Sequence, residues 1–254
     1  MSGHLAVVGL GPGDAHWLTP EADAATTQAD ALYGYGPYLD RLPCRSGQHR
    51  YSSDNRQEAA RAAAALRHAA QGARVAIVSG GDPGVFAMAA AVCAEIETGP
   101  DAWRELDVAI IPGITAMLAV AARVGAPLGH DFCALSLSDN LKPWDLIVRR
   151  LAAAADAGFV IAIYNPVSRA RDWQLAAAFD ELRRRIEAST PVVFGRAVGR
   201  ADEKIFISTL AAADPNAADM ATLVIVGSAQ TRLINRPGRS PLVYTPRAVE
   251  SASA

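Results

Sequence analysis

The chain has 254 residues, about half apolar and a fifth charged, with a formal net charge of -2. That length and composition suit two compact domains, or one large α/β unit, able to bury about three quarters of the unfolded surface without a metal or disulfide staple. The near-neutral charge lacks the basic excess expected of a protein that binds nucleic acid or an anionic membrane surface. Cys44, Cys93 and Cys133 are scattered, with no CxxC pair, which reads as reduced thiols and not as a disulfide frame, a zinc site or an iron–sulfur ligand set. No basic segment precedes the short apolar run at 5–10, and no stretch approaches the roughly twenty apolar residues of a membrane span. The expected location is the cytoplasm, without a membrane partner.

In chain order, residues 5–9 predict a buried first strand, followed by Gly9-Leu10-Gly11-Pro12-Gly13-Asp14. The G-x-G-x-G spacing is not the G-x-G-x-x-G of a dinucleotide site. Pro12 lacks an amide, and Asp14 sets negative charge where a pyrophosphate would lie. A nicotinamide cofactor is therefore not expected, and the loop alone reads equally well as a tight turn without a ligand. Thr19-Pro20-Glu21 opens a helix over 20–29, with a capping hydroxyl and proline at its first position. A short strand follows at 32–35. Asp54 is placed to cap a helix over 55–71, and Gly72 to close it.

A strand over 74–78 delivers Ser79-Gly80-Gly81-Asp82-Pro83-Gly84-Val85-Phe86. Its glycines admit a ligand close to the backbone, and Pro83 stiffens the turn. Asp82 stands at the carboxyl end of a strand, where open parallel sheets bind ligands. Its carboxylate suits a ribose diol or a cationic group, and equally the N-cap of a helix over 84–98. The strand over 108–111 ends in Pro112-Gly113-Ile114-Thr115-Ala116, which leads into a helix over 114–124. Three such loops at successive strand ends would line one crevice, which a small ligand explains better than a core does. Helices over 144–156 and 170–188 alternate with strands over 159–163, 191–194 and 223–226. The alternation predicts two α/β lobes with mainly parallel sheets, over 1–113 and 114–240, then an irregular tail over 241–254.

Gly9-Leu-Gly-Pro-Gly-Asp14, Ser79-Gly-Gly-Asp-Pro-Gly84 and Pro112-Gly-Ile-Thr-Ala116, in this order and spacing, resemble the tetrapyrrole methylases. Leu135-Ser-Leu-Ser-Asp-Asn-Leu-Lys-Pro-Trp144, Tyr164-Asn-Pro-Val-Ser-Arg169, Gly195-Arg-Ala-Val-Gly-Arg200 and Thr222-Leu-Val-Ile-Val-Gly227 resemble the branch of that family that methylates precorrin-3B at C17. The resemblance implies a two-lobed α/β homodimer that binds S-adenosylmethionine in the cleft between its lobes and releases S-adenosylhomocysteine. It implies cofactor contacts from Pro12, Gly80, Gly81, Asp82, Val85, Thr115 and Ala116, and from Asn165, Ala197 and Thr222 in the second lobe. Asn165 stands where uroporphyrinogen-type relatives commonly carry Met. Extended members of the family have a cysteine-rich cluster region that has no counterpart here, so no iron–sulfur centre is expected. The implied reaction converts precorrin-3B to precorrin-4, with ring contraction, in cobalamin biosynthesis. Methylation at another carbon of a precorrin, with or without cobalt, or of a uroporphyrinogen is the alternative.

Methyl transfer from a sulfonium needs orientation more than a covalent nucleophile, and none of the five histidines sits in a motif. Ring contraction needs proton movement, for which Ser136, Ser138, Asp139 and Tyr164 are the candidates. A macrocycle rimmed with acetates and propionates calls for cationic forks. Arg41, Arg56, Lys142, Arg169 and Arg196 are the leading candidates, from a wider set that includes Arg45, Arg50, Arg171 and Arg200. A related methylase acting on RNA or protein, an NAD-type oxidoreductase and a non-catalytic corrinoid binder are weaker rivals.

Overall fold

The computed structural model describes residues 3–54, 56–168 and 172–248, so Arg169 and Arg171 lie outside the described residues. The chain forms two compact units, Met1–Ala116 and Met117–Ala254.

In the first unit, β1 (His4–Gly9), α1 (Pro20–Gln28), β2 (Ala31–Tyr35), α2 (Gly36–Leu39), β3 (His49–Ser53), α3 (Glu58–Ala70), β4 (Arg74–Ser79), α4 (Met88–Thr98) and β5 (Asp107–Ile111) follow one another. The strands pair in the order β3-β2-β4-β1-β5, all parallel. The short apolar runs behave as strands buried on both faces. From β1, Leu5 and Val7 pack with α3 and α4 residues such as Leu66 and Val92. Ala6 and Val8 point the other way, to Ala22 of α1 and Leu39 of α2. Each fully buried Leu or Val contributes about 1.5–3 kcal/mol, so this alternation fixes the register of β1.

Thr19 caps α1 as expected, its hydroxyl accepting the Ala22 amide at 3.1 Å, and Gly72 closes α3 with its amide on the Ala69 carbonyl. Two caps that the sequence allows are absent. Gln57, not Asp54, precedes α3. Helix α4 begins at Met88, so Asp82 caps no helix; residues 83–87 form turns and bends instead.

The second unit holds α5 (Ala116–Val124), β6 (Gly125–Ala126), β7 (Phe132–Ser136), α6 (Trp144–Asp156), β8 (Val160–Tyr164), α7 (Gln174–Arg183), β9 (Pro191–Arg196), β10 (Lys204–Thr209), β11 (Thr222–Val226), β12 (Arg232–Arg236) and β13 (Arg239–Tyr244). Helices α6 and α7 bury Ile147, Leu151, Phe179 and Leu182 against Ile161, Ile163, Phe194 and Val224 of the sheet. The expectation of mainly parallel pairing fails here. In the order β10-β9-β11-β8-β7 only β7 and β8 run parallel, joined through α6. The pairs β8–β11, β11–β9 and β9–β10 are antiparallel. No α-helix separates β9 from β10, so β10 returns antiparallel beside β9; β11 runs in the same direction as β10 on the other side of β9, and is therefore antiparallel to it as well. The expected irregular tail also begins too early. Residues 239–244 form β13, which folds back on β12 and pairs with β6.

Candidate functional site

Strands β1, β4 and β5 are neighbours, so their carboxyl ends bring the three glycine loops together in the first unit. Gly11 and Gly81 exchange two backbone hydrogen bonds, of 3.0 and 2.9 Å. The Asp82 carboxylate then ties the second loop to the third: Oδ1 accepts the Gly84 amide at 2.8 Å and Oδ2 accepts the Gly113 amide at 3.1 Å. The loops pack tightly at Gly113 and leave room at Gly81. A Cβ on Gly113 would lie 2.3 Å from the Gly81 carbonyl oxygen, and one on Gly81 would come to 3.7 Å from the Thr115 Cα. The expected convergence of Gly80, Gly81 and Asp82 with Thr115 and Ala116 on one spot is therefore present. Thr115 is buried, while Pro12, Val85 and Ala116 are half-buried around it.

Arg41 clamps the first loop, its Nη2 donating to the carbonyls of Leu10 (2.6 Å), Gly11 (3.1 Å) and Gly13. This differs from its expected role: the Nη2 of the guanidinium is committed to the carbonyls of the first glycine loop. A shallow depression of about 680 Å³ lies at the opposite, amino-terminal edge of the same sheet, beside Asp30 and Arg74. Ligands of parallel sheets bind at the carboxyl edge, so chemistry and not cavity size locates the candidate site.

Among the described residues three that are not glycine adopt positive φ: Phe86 (53°), Asn165 (50°) and Ala197 (49°). A left-handed backbone costs a residue with a Cβ about 1–2 kcal/mol, and such strain concentrates at functional positions. Asn165 and Ala197 are two of the expected cofactor contacts, and Phe86 directly follows a third, Val85. In the second unit Asn165 Nδ2 donates to Ser136 Oγ at 2.9 Å, and the Ser138 amide donates to the same hydroxyl oxygen at 3.2 Å. Asp139 Oδ2 accepts from Gln174 Nε2 at 3.1 Å, and the Trp144 and Trp173 rings meet edge to face, 4.9 Å apart. Two of the segments that carry the finer resemblance, 135–144 and 164–169, are thus fastened together beyond the carboxyl ends of the parallel pair β7 and β8. Tyr164 takes a different place: its hydroxyl oxygen accepts the Met117 amide at 3.1 Å, satisfying one of the free donors that open α5.

Thr222 faces Arg196 across the β9–β11 pair. Its hydroxyl donates to Asp219 Oδ1 at 2.8 Å and accepts the Asp219 amide at 3.0 Å. Arg196 is held between Asp219 and Asp202, each at 2.7 Å, which corrects its reading as a cation presented to substrate. Burial pushes the Asp219 carboxyl up, but hydrogen bonds from Thr222, Arg196 and the Ala221 amide outweigh it and hold the group below the usual carboxylate range. Of the remaining candidate cations, Arg56 is exposed. Lys142 is half-buried, its ammonium pushed down by desolvation and then by the neighbouring Arg150 charge.

Three groups that shape these loops were not legible as motifs. Gln174 and Asp219 orient other side chains. Arg61, 5% exposed, donates to the Ser53 hydroxyl and to the Ser53 and Asp54 carbonyls, fixing the chain after β3. Each acts across a gap in sequence, and only a three-dimensional pairing reveals it.

Comparison with known proteins bears on the family and the fold. The profile of the Tetrapyrrole (Corrin/Porphyrin) Methylases matches residues 4–214. A Precorrin-3B C(17)-methyltransferase from Sinorhizobium sp is 61% identical over 253 residues, covering all of both chains. The crystal structure of the methyltransferase CobJ superposes with a TM-score of 0.91 at 47% identity, over 96% of this chain and 100% of that one. Uroporphyrin-III C-methyl transferase from Thermus thermophilus, complexed with S-adenyl homocysteine, shares the fold at 22% identity and a TM-score of 0.67, over 89% of this chain and 97% of that one. The chain belongs to the tetrapyrrole methylase family.

Proposed function

We propose that this methyltransferase moves a methyl group from S-adenosylmethionine to C17 of precorrin-3B and drives contraction of the macrocycle to precorrin-4, a step of cobalamin biosynthesis. One observation carries the reading. The segments around Ser136–Asp139 and Asn165–Gln174, the former and the start of the latter bearing the finer resemblance, are joined by Ser136–Asn165 and Asp139–Gln174 bonds at one strand edge. The full-length 61% identity to the Sinorhizobium enzyme supports the same acceptor. The S-adenyl homocysteine held by the Thermus protein of the same fold supports the cofactor.

The residues present fit a small cationic nucleoside. Gly81, whose missing side chain leaves room beside the Thr115 backbone, would let a ligand lie against the chain, and Asp82, with lone pairs left after its two amide bonds, would accept from a ribose diol. Asn165, Ala197 and Thr222 would complete the cofactor contacts. When bound, S-adenosylmethionine supplies an activated methyl, so the protein needs no covalent nucleophile. Its residues contribute by holding the reacting partners in line, an effect worth about 7–11 kcal/mol. Asp139, with Ser136 and Ser138 beside it, would take the proton that ring contraction releases from the hydroxyl of a hydroxylated ring carbon. Tyr164 is the weaker choice because its oxygen already serves α5. Arg56, Lys142 and Arg169 would meet the substrate carboxylates. The reading includes a cytoplasmic homodimer that works without nucleic acid, membrane, iron–sulfur centre or NAD.

The test is an acceptor panel: metal-free and cobalt-bearing precorrin-3B, a later precorrin and uroporphyrinogen III, each incubated with labelled S-adenosylmethionine. The reading expects label in a product one methyl heavier from a precorrin-3B-type acceptor alone. Preferred methylation of uroporphyrinogen or of the later precorrin would overturn it.

A further inference from the structure

Gln174 opens α7 and is 1% exposed. Its Nε2 donates to Asp139 Oδ2, but among the described residues its Oε1 is buried without a hydrogen-bond partner. A dry acceptor is destabilising and calls for a reason. Packing keeps it in place, because Leu175, Ala178, Phe179 and Leu182 of the same helix are fully buried. The residue before it, Trp173, is braced on Trp144. Simple packing would be better served by an apolar side chain at this position.

We infer that Gln174 is a positioning residue that holds Asp139 in both protonation states of its proton transfer. The inference rests on the proposed role of Asp139 in ring contraction. With Asp139 ionised, the Gln174 amide donates to Oδ2, as observed. When the O–H proton of the substrate passes to the Asp139 carboxylate, the electron pair stays on the substrate oxygen and the carboxyl gains a donor. Rotation of the Gln174 amide about its terminal torsion then turns Oε1, otherwise unpartnered, toward that new O–H. Gln174 itself gains and loses nothing. An amide can serve both states, whereas an apolar side chain serves neither and a lone donor serves one.

The test is a double-mutant cycle in the full-length enzyme with Gln174→Met, which keeps length and burial, and Asp139→Asn. Gln174→Met is expected to lower kcat about 10- to 100-fold, the size of one hydrogen bond to a charged group, with KM for both substrates within about twofold of the unmutated enzyme. In the Asp139→Asn background the same substitution is expected to change kcat less than about threefold, because residues that act as a unit are not additive. Gln174→Leu repeats the cycle should the methionine variant fold poorly. Additive losses, or a loss carried by KM, would overturn the inference while leaving the C17 reading intact. Absence of any methyl transfer by the unmutated enzyme would overturn both.

Discussion

The Gly113 amide donates to Asp82 Oδ2 at 3.1 Å, and that single bond fastens the loop after β4 to the loop after β5. A carboxylate here both shapes the site and remains able to accept from a ligand. Asp82→Ala leaves the Gly84 and Gly113 amides without their partner, a cost of about 1–3 kcal/mol. S-adenosylhomocysteine affinity is expected to fall at least about tenfold by calorimetry, with a lower thermal midpoint. Unchanged affinity would separate Asp82 from the cofactor site.

Two glycines of this cluster are irreplaceable for different reasons. Gly81 has a φ of 69° but room for a methyl, whereas a methyl on Gly113 would meet the Gly81 carbonyl oxygen at 2.3 Å. Gly81→Ala should therefore cost about 1–2 kcal/mol of backbone strain. Gly113→Ala forces the loops apart and should exceed the roughly 1–3 kcal/mol of ordinary overpacking. Denaturant unfolding of both variants checks the order, which reverses if the loops are loosely packed.

Asn165 combines a left-handed backbone with the bond to Ser136. Asn165→Ala loses the bond and keeps the strain; Asn165→Gly loses the bond and relieves it. The glycine variant should be the more stable of the two by roughly 1 kcal/mol, while both lose turnover. Equal midpoints would show that the strain is absent.

The Arg123–Glu203 pair, 2.7 Å apart, gives a pH dependence whose sign is fixed. The Arg123 guanidinium, more than the Gly199 amide, holds the Glu203 carboxyl below its ordinary value near 4.5. Its contribution is complete above that ordinary value and disappears as pH falls through the lower, folded-state value. Glu203→Gln should destabilise the protein at pH 7, by about 1 kcal/mol or less for a partly exposed pair. The difference should shrink toward zero in acid. A difference that grows on acidification would contradict the assignment.

Much of the first unit could be read from the sequence because its signals are local. The runs at 74–78 and 108–111 are short, apolar and ended by glycine or proline, and each is a strand within a residue or so. Asp54 and Asp82 misled because a carboxylate before a helix pattern is ambiguous until its hydrogen-bond partner is known. The antiparallel half of the second sheet was not visible: β10 carries Lys204 and Ser208 and lies exposed at an edge, and the order in which strands pair is not a local property. For the site, the glycine loops were legible because backbone shape demands particular residues there. At Arg41 and Arg196 the sequence shows a cation but not the carbonyls or carboxylates that hold it.

The most direct measurement uses S-adenosylmethionine with a carbon-13 methyl, incubated with precorrin-3B, and locates the label by NMR. The account predicts a single new methyl resonance coupled to C17 in a contracted macrocycle. Label at any other carbon, or at C17 of a ring that has not contracted, would contradict it.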